Sequence, residues 1–175
     1  MSADDLLRLN IADARTELVR GELVVREPTG YRHGAVAARL LIAVGTFVES
    51  HALGRVFTAE TGFRLRRDPD TVRAPDVAFV RLDRAPNPPP LGFAELAPDL
   101  VVEVLSPEDR PGEVLSKIGD WLEAGTSLVW VVDPEQRSAR VYRADGTQDQ
   151  LGETDRLNGE AVLPGFDCEL RRLFV

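Results

Sequence analysis

Two short apolar runs constrain this chain more than any other feature. Asp99-Leu-Val-Val-Glu-Val-Leu105 and Ser127-Leu-Val-Trp-Val-Val-Asp133 are apolar at successive rather than alternate positions, as in strands covered on both faces. Between them, Pro111 opens a segment in which Val114, Leu115, Ile118, Trp121 and Leu122 fall on one helical stripe, with Gly125 as its stop. Strand, helix, strand over residues 99–133 is a right-handed crossover unit, so the two strands are expected to be parallel neighbours.

The remaining elements fit around that unit. Ser2 opens a short helix over residues 3–9. Thr16 to Val19 and Glu22 to Val25 flank Arg20-Gly21 as a hairpin. Val36, Ala37, Leu40, Leu41, Val44 and Val48 recur at helical spacing between His33 and about Ser50. Strand-like runs follow at Arg55 to Thr58 and Thr61 to Arg67. After the Asp68-Pro69-Asp70 turn, Val72 to Leu82 reads as one returning strand. Pro86 to Pro90 marks a surface loop. Arg137 to Arg143 with the Asp145-Gly146 turn predicts a closing hairpin, and the tail from Val162 to Phe174 is expected to pack on the body. The fold class is α/β in the α+β sense, a mixed sheet flanked by helices. It is antiparallel in its first half and parallel at its centre, and 175 residues suffice for one domain over 1–175.

Composition narrows the setting. Cys168 is the single cysteine, so neither an intramolecular disulfide nor a thiolate zinc cluster can form. The acidic start lacks a secretion signal, and no apolar stretch reaches the roughly 20 residues of a membrane span. A cytoplasmic protein without a membrane partner is expected. The net charge of −8 is uneven: residues 15–84 carry +3 and residues 85–175 carry −9. A mildly basic front half is compatible with phosphates, or is a chance asymmetry of a solvated surface.

Three residues stand out chemically. Glu103 sits inside a run that should be covered on both faces, where an unpaired carboxylate costs several kcal/mol unless a cation or donors compensate it. The bland alternative is an arginine pair near a strand end. Asp76 follows Pro75 at the start of Val77-Ala-Phe-Val80, a placement that also suits an ordinary turn. Lys117 is the only lysine among 21 basic residues. Glu113 and Asp120 are at ion-pairing distance along its helix, but arginine would serve that role equally well. A compact ammonium is preferred beside a nucleophile or a developing charge. From the helix after the Glu103 strand, Lys117 can reach back to that strand's end.

Together, Pro75-Asp76, Glu103-Val104-Leu105 and Lys117 resemble the PD-(D/E)XK nuclease superfamily. The chain is more closely similar to the Uma family, a bacterial group described as restriction endonucleases. The resemblance runs through Glu17-Leu18-Val19-Arg20-Gly21-Glu22-Leu23, His33, Ala74-Pro75-Asp76-Val77-Ala78-Phe79-Val80, Pro98 to Ser106, Trp130-Val131-Val132-Asp133-Pro134 and Leu163-Pro164-Gly165-Phe166. Leu105 stands where the superfamily pattern has its lysine, and Lys117 fits a relocation to the following helix.

The resemblance implies a restriction endonuclease-like fold and a Mg²⁺-dependent endonuclease acting on DNA, with Mn²⁺ able to substitute. Asp76, Glu103 and the Val104 carbonyl would hold the metal. Lys117 would orient water or neutralise charge on the phosphate. His33, Glu17 and Glu60 receive no role. DNA is expected on Arg64, Arg66, Arg67 and Arg73 around the hairpin tip. A homodimer is expected, through Pro88 to Phe93 or the hairpin at Val141 and Tyr142. The alternatives are an inactive binding module on the same fold, or a hydrolase of another phosphodiester such as RNA. The position of Lys117 relative to the two carboxylates discriminates between enzyme and module.

Overall fold

The computed structural model describes residues 1–9, 11 and 14–174. A short helix, α1 (Ala3–Arg8), precedes a hairpin of β1 (Arg15–Val19) and β2 (Glu22–Arg26). Its turn residues Arg20 and Gly21 both have positive φ, 50° and 82°, the backbone that two-residue hairpins require. The long helix α2 (Tyr31–Ser50) leads into β3 (Gly54–Thr58), β4 (Phe63–Arg66), β5 (Thr71–Arg73) and β6 (Val77–Arg81). Then come β7 (Leu100–Val104), α3 (Pro111–Glu123), β8 (Leu128–Asp133), and a hairpin of β9 (Ser138–Arg143) and β10 (Gln148–Leu151). Short strands β11 (Arg156–Asn158) and β12 (Asp167–Glu169) and a 3₁₀ turn over Leu170–Arg172 follow.

The central sheet has six strands in the order β10-β9-β8-β7-β6-β3. Its β7–β8 pair is parallel, as the crossover predicts, and its other pairs are antiparallel. Alternating side chains feed two cores. Phe79, Leu100, Val102, Trp130 and Val132 face α2 and the C-terminal tail, whose Leu163, Phe166, Leu170 and Phe174 share that core. Ala78, Val80, Val101, Val129 and Val131 face Ile118 and Trp121 of α3. Both faces are therefore dry, which explains the unbroken apolar runs.

Three expectations need correction. Of the antiparallel first half, β3 and β6 stay in the central sheet, but β1, β2, β4 and β5 form a separate four-stranded sheet, ordered β2-β1-β5-β4. The single returning strand expected over Val72 to Leu82 is divided: β5 joins the small sheet and β6 the central one. Pro75 lies in the break, where its missing N–H cannot serve a ladder. Leu115, placed on the α3 stripe, is 55% exposed; it lies at the margin of an arc centred on Ile118 and Trp121. The β11–β12 pair has no counterpart among the elements the sequence predicts.

The N-terminus is clamped to the small sheet. Ser2 and Asp5 form a capping box on α1. Asp70 accepts the Ala3 N–H at 2.7 Å and Arg64 Nη2 at 2.7 Å. Asp70→Ala should cost about 1–3 kcal/mol, the desolvation cost of unsatisfied donors, with amide exchange in α1 accelerating first. The Ala3 N–H and Arg64 hold the Asp70 carboxyl below its usual value, against burial. Its folded value is thus depressed, so the clamp contributes fully above the ordinary carboxylate range. That contribution fades as pH falls through the folded value.

Candidate functional site

Asp76 stands where the chain crosses from the small sheet to the central one. Its own N–H donates to the Val102 carbonyl at 3.1 Å, which fixes it beside β7. Its side chain is 4% exposed. Oδ2 accepts the Val104 N–H at 2.8 Å and lies 3.2 Å from His33 Nε2. An ionised carboxylate can only accept, so Nε2 carries the hydrogen; Nδ1 is buried without a partner. Oδ1 accepts Arg15 Nη2 at 3.0 Å.

Glu103 alternates with Val102 and Val104 and so projects to the α3 side of the sheet, 8% exposed. Trp121 Nε1 donates to its Oε1 at 2.9 Å, and Lys117 Nζ donates to its Oε2 at 2.8 Å. Lys117 also donates to the Ala74 carbonyl at 3.1 Å and ion-pairs with Glu17 Oε1 at 3.1 Å. Three oxygens thus surround one ammonium with three hydrogens, a geometry a planar guanidinium does not match. The helix-surface alternative for Lys117 falls away: Glu113 pairs with Arg26 and Arg110, and Asp120 with Arg73.

Glu17, given no role from the sequence, is buried in the same network. It accepts the Ala74 N–H and Arg73 Nη1, each at 2.9 Å. Arg73 was expected on a DNA-facing surface. It is buried instead, with Nε and Nη2 on Asp120 Oδ2 at 2.9 and 2.6 Å. Arg64 is tied to Asp70 and Glu95, and Arg67 to Glu95. Of the four expected arginines, only Arg66 is exposed with no ion pair among the described residues.

The acids differ sharply in proton affinity. Burial pushes the Glu103 carboxyl up to about 7; Lys117 pulls it down, and the charges of Asp76 and Glu17 push it up. Burial also opposes ionisation of Asp76. The His33 hydrogen bond, the Lys117 charge and the Val104 N–H nevertheless hold that carboxyl down at about 2. Glu17 is lowered too, because Lys117, Arg73 and the Ala74 N–H outweigh its burial.

Asp76, Glu103, Glu17, His33 and Lys117 line a cleft of about 700 Å³. Its walls come from β1 and β2, the start of α2, the end of β7 and the start of α3. Among the described residues, no group of three or more His, Cys, Asp or Glu side chains is arranged to hold a metal ion. The donor set still fits a hard divalent ion that keeps several waters. Asp76, Glu103, Glu17 and Asp120 bring four carboxylates against three fixed cations, Arg15, Arg73 and Lys117. That surplus is relieved by a proton, as the raised Glu103 indicates, or by a cation. Glu60 also lines the cleft. No helix among the described residues is long and apolar enough to cross a membrane.

Residues 3–171 match the Uma2 family, described as "Putative restriction endonuclease". The fold is similar to the crystal structure of "a putative nuclease belonging to DUF820" from Anabaena variabilis. That match has a TM-score of 0.86 and 22% identity, and covers 99% of this chain and 97% of the other. No curated protein matches the chain significantly.

Proposed function

Since this chain belongs to the Uma2 family, we propose that it is a Mg²⁺-dependent endonuclease that hydrolyses DNA phosphodiester bonds, acting as one domain over residues 1–175. The observation that carries this reading is the reach of Lys117 from α3 to Glu103, 2.8 Å away, on the strand whose next residue, Val104, donates to Asp76. Asp76 and Glu103, with the Val104 carbonyl, would hold Mg²⁺ or Mn²⁺. The ion, when bound, supplies Lewis-acid stabilisation of the phosphate and acidifies water.

The chain's own groups do the rest. Lys117, already fixed by Glu17 and the Ala74 carbonyl, is positioned to orient the attacking water or to offset charge growing on the phosphate. Trp121 fixes Glu103 from its buried side. His33 and the Val104 N–H fix Asp76. One such site cuts one strand, so a homodimer belongs to the same proposal.

Supercoiled plasmid and a structured RNA, each incubated with Mg²⁺, Mn²⁺ or a chelator, test the reading. Nicked and linear plasmid is expected with either metal and none with the chelator. Cleavage of RNA alone would move the activity to another phosphodiester. Cleavage of neither would leave a binding module on a nuclease fold.

A further inference from the structure

Arg15 and Arg26 stand directly opposite each other on β1 and β2, so their side chains leave the same face, and both line the cleft. Each is held by acids. Arg26 lies 3.6 Å from Asp109 and 3.4 Å from Glu113, across the cleft. Arg15 is 3.0 Å from Asp76 Oδ1.

The two oxygens of Asp76 are not equivalent. Oδ2 is committed to two donors, the Val104 N–H and His33, both buried. Oδ1 has Arg15, whose side chain is 23% exposed. Oδ1 is therefore the oxygen whose one partner, a half-buried guanidinium on the cleft side, can be exchanged for another cation.

We propose that Arg15 is an exchangeable counter-cation: it neutralises Asp76 until a divalent ion takes Oδ1, and then binds a backbone phosphate of the nucleic acid in the cleft. The inference rests on Asp76 being a metal ligand. A guanidinium and a divalent ion on one oxygen repel each other, and the ion carries the larger charge. Displaced, Arg15 keeps its planar fork of donors, which matches phosphate oxygens in pairs. Its partner across the hairpin, Arg26, is not on Asp76 and stays with Asp109 and Glu113 until substrate arrives. Metal and nucleic acid should consequently bind cooperatively, each raising the affinity of the other by the same factor.

Calorimetry with Mn²⁺ alone, on the wild type, Arg15→Gln and Asp76→Asn, tests the exchange. The wild type should bind Mn²⁺, Asp76→Asn should lose that binding, and Arg15→Gln should bind at least about fivefold tighter, the lower end of ordinary couplings. Duplex DNA binding followed by fluorescence anisotropy should tighten with Ca²⁺ in the wild type and respond far less in Arg15→Gln. Phenylglyoxal labelling of Arg15 in the wild type, read by mass spectrometry, should rise when Mn²⁺ is added; this arm needs no variant to fold. Equal or weaker Mn²⁺ binding by Arg15→Gln, or unchanged labelling, overturns the exchange and leaves the metal reading intact. Absence of Mn²⁺ binding by the wild type, or full binding by Asp76→Asn, overturns the metal reading and this inference with it.

Discussion

Lys117→Met is expected to lower metal-dependent cleavage by about 10²–10³-fold, the cost of removing one preorganised donor from a developing charge. The geometry makes the loss specific. Lys117 is the ammonium that touches Glu103 and Glu17 together. Arg73 is already spent on Glu17 and Asp120. Lys117→Arg should rescue little, because a flat guanidinium cannot meet three oxygens arranged around one nitrogen. The proton affinity of Glu103 should also rise in Lys117→Met, since Lys117 is what pulls it down against burial. Plasmid nicking assays check the rate, and circular dichroism checks that the variant is folded. Cleavage within a few-fold of wild type would remove Lys117 from the mechanism.

The largest expected effect on stability comes from Arg73→Met, about 3–5 kcal/mol, the usual cost of removing one partner from a buried ion pair. Arg73 joins β5 of the small sheet to Asp120 on α3 and to Glu17 on β1. Its loss strands the half-buried Asp120 and leaves the buried Glu17 with only Lys117 and the Ala74 N–H. Burial alone would depress the charge on Arg73, yet Glu17 and Asp120 raise its proton affinity, which marks a fully engaged cation. Urea unfolding measures the change as a lower midpoint. Arg73→Met with Asp120→Leu should recover part of it, because an apolar pair leaves fewer charges unpartnered. A loss below about 1 kcal/mol would mean that water reaches this network freely.

The sequence made the central sheet and its acids readable because their signals are local. Leu100 to Val104 and Leu128 to Asp133 announce themselves by composition, and Pro111 and Gly125 bracket α3. Lys117 stood out because arginine replaces lysine everywhere else in the chain. What stayed hidden depends on contacts between distant residues. Arg15 meets Asp76 and Arg73 meets Glu17 across more than 50 positions, and no spacing rule connects such pairs. Glu17 receives no role from the sequence, because only the small sheet brings it against Ala74. The break at Pro75 was legible as a proline, but the change of sheet it permits was not. Strands β11 and β12 have three residues each and one apolar anchor, Leu157, too little for any periodicity.

The switch of sheets at Ala74-Pro75-Asp76 has an evolutionary consequence. Asp76 and Glu103 belong to the central sheet, whose strands are packed on both sides and tolerate little change. Opposite them, the cleft wall carrying Arg15 and Arg26 belongs to a hairpin whose outer strand, β2, is an edge with two exposed positions. Drift there can reshape what the cleft admits while the acids stay in register. A lineage built on this plan is able to change what the cleft admits through the outer strand of one hairpin, while Glu17 on the inner strand keeps its hold on Lys117.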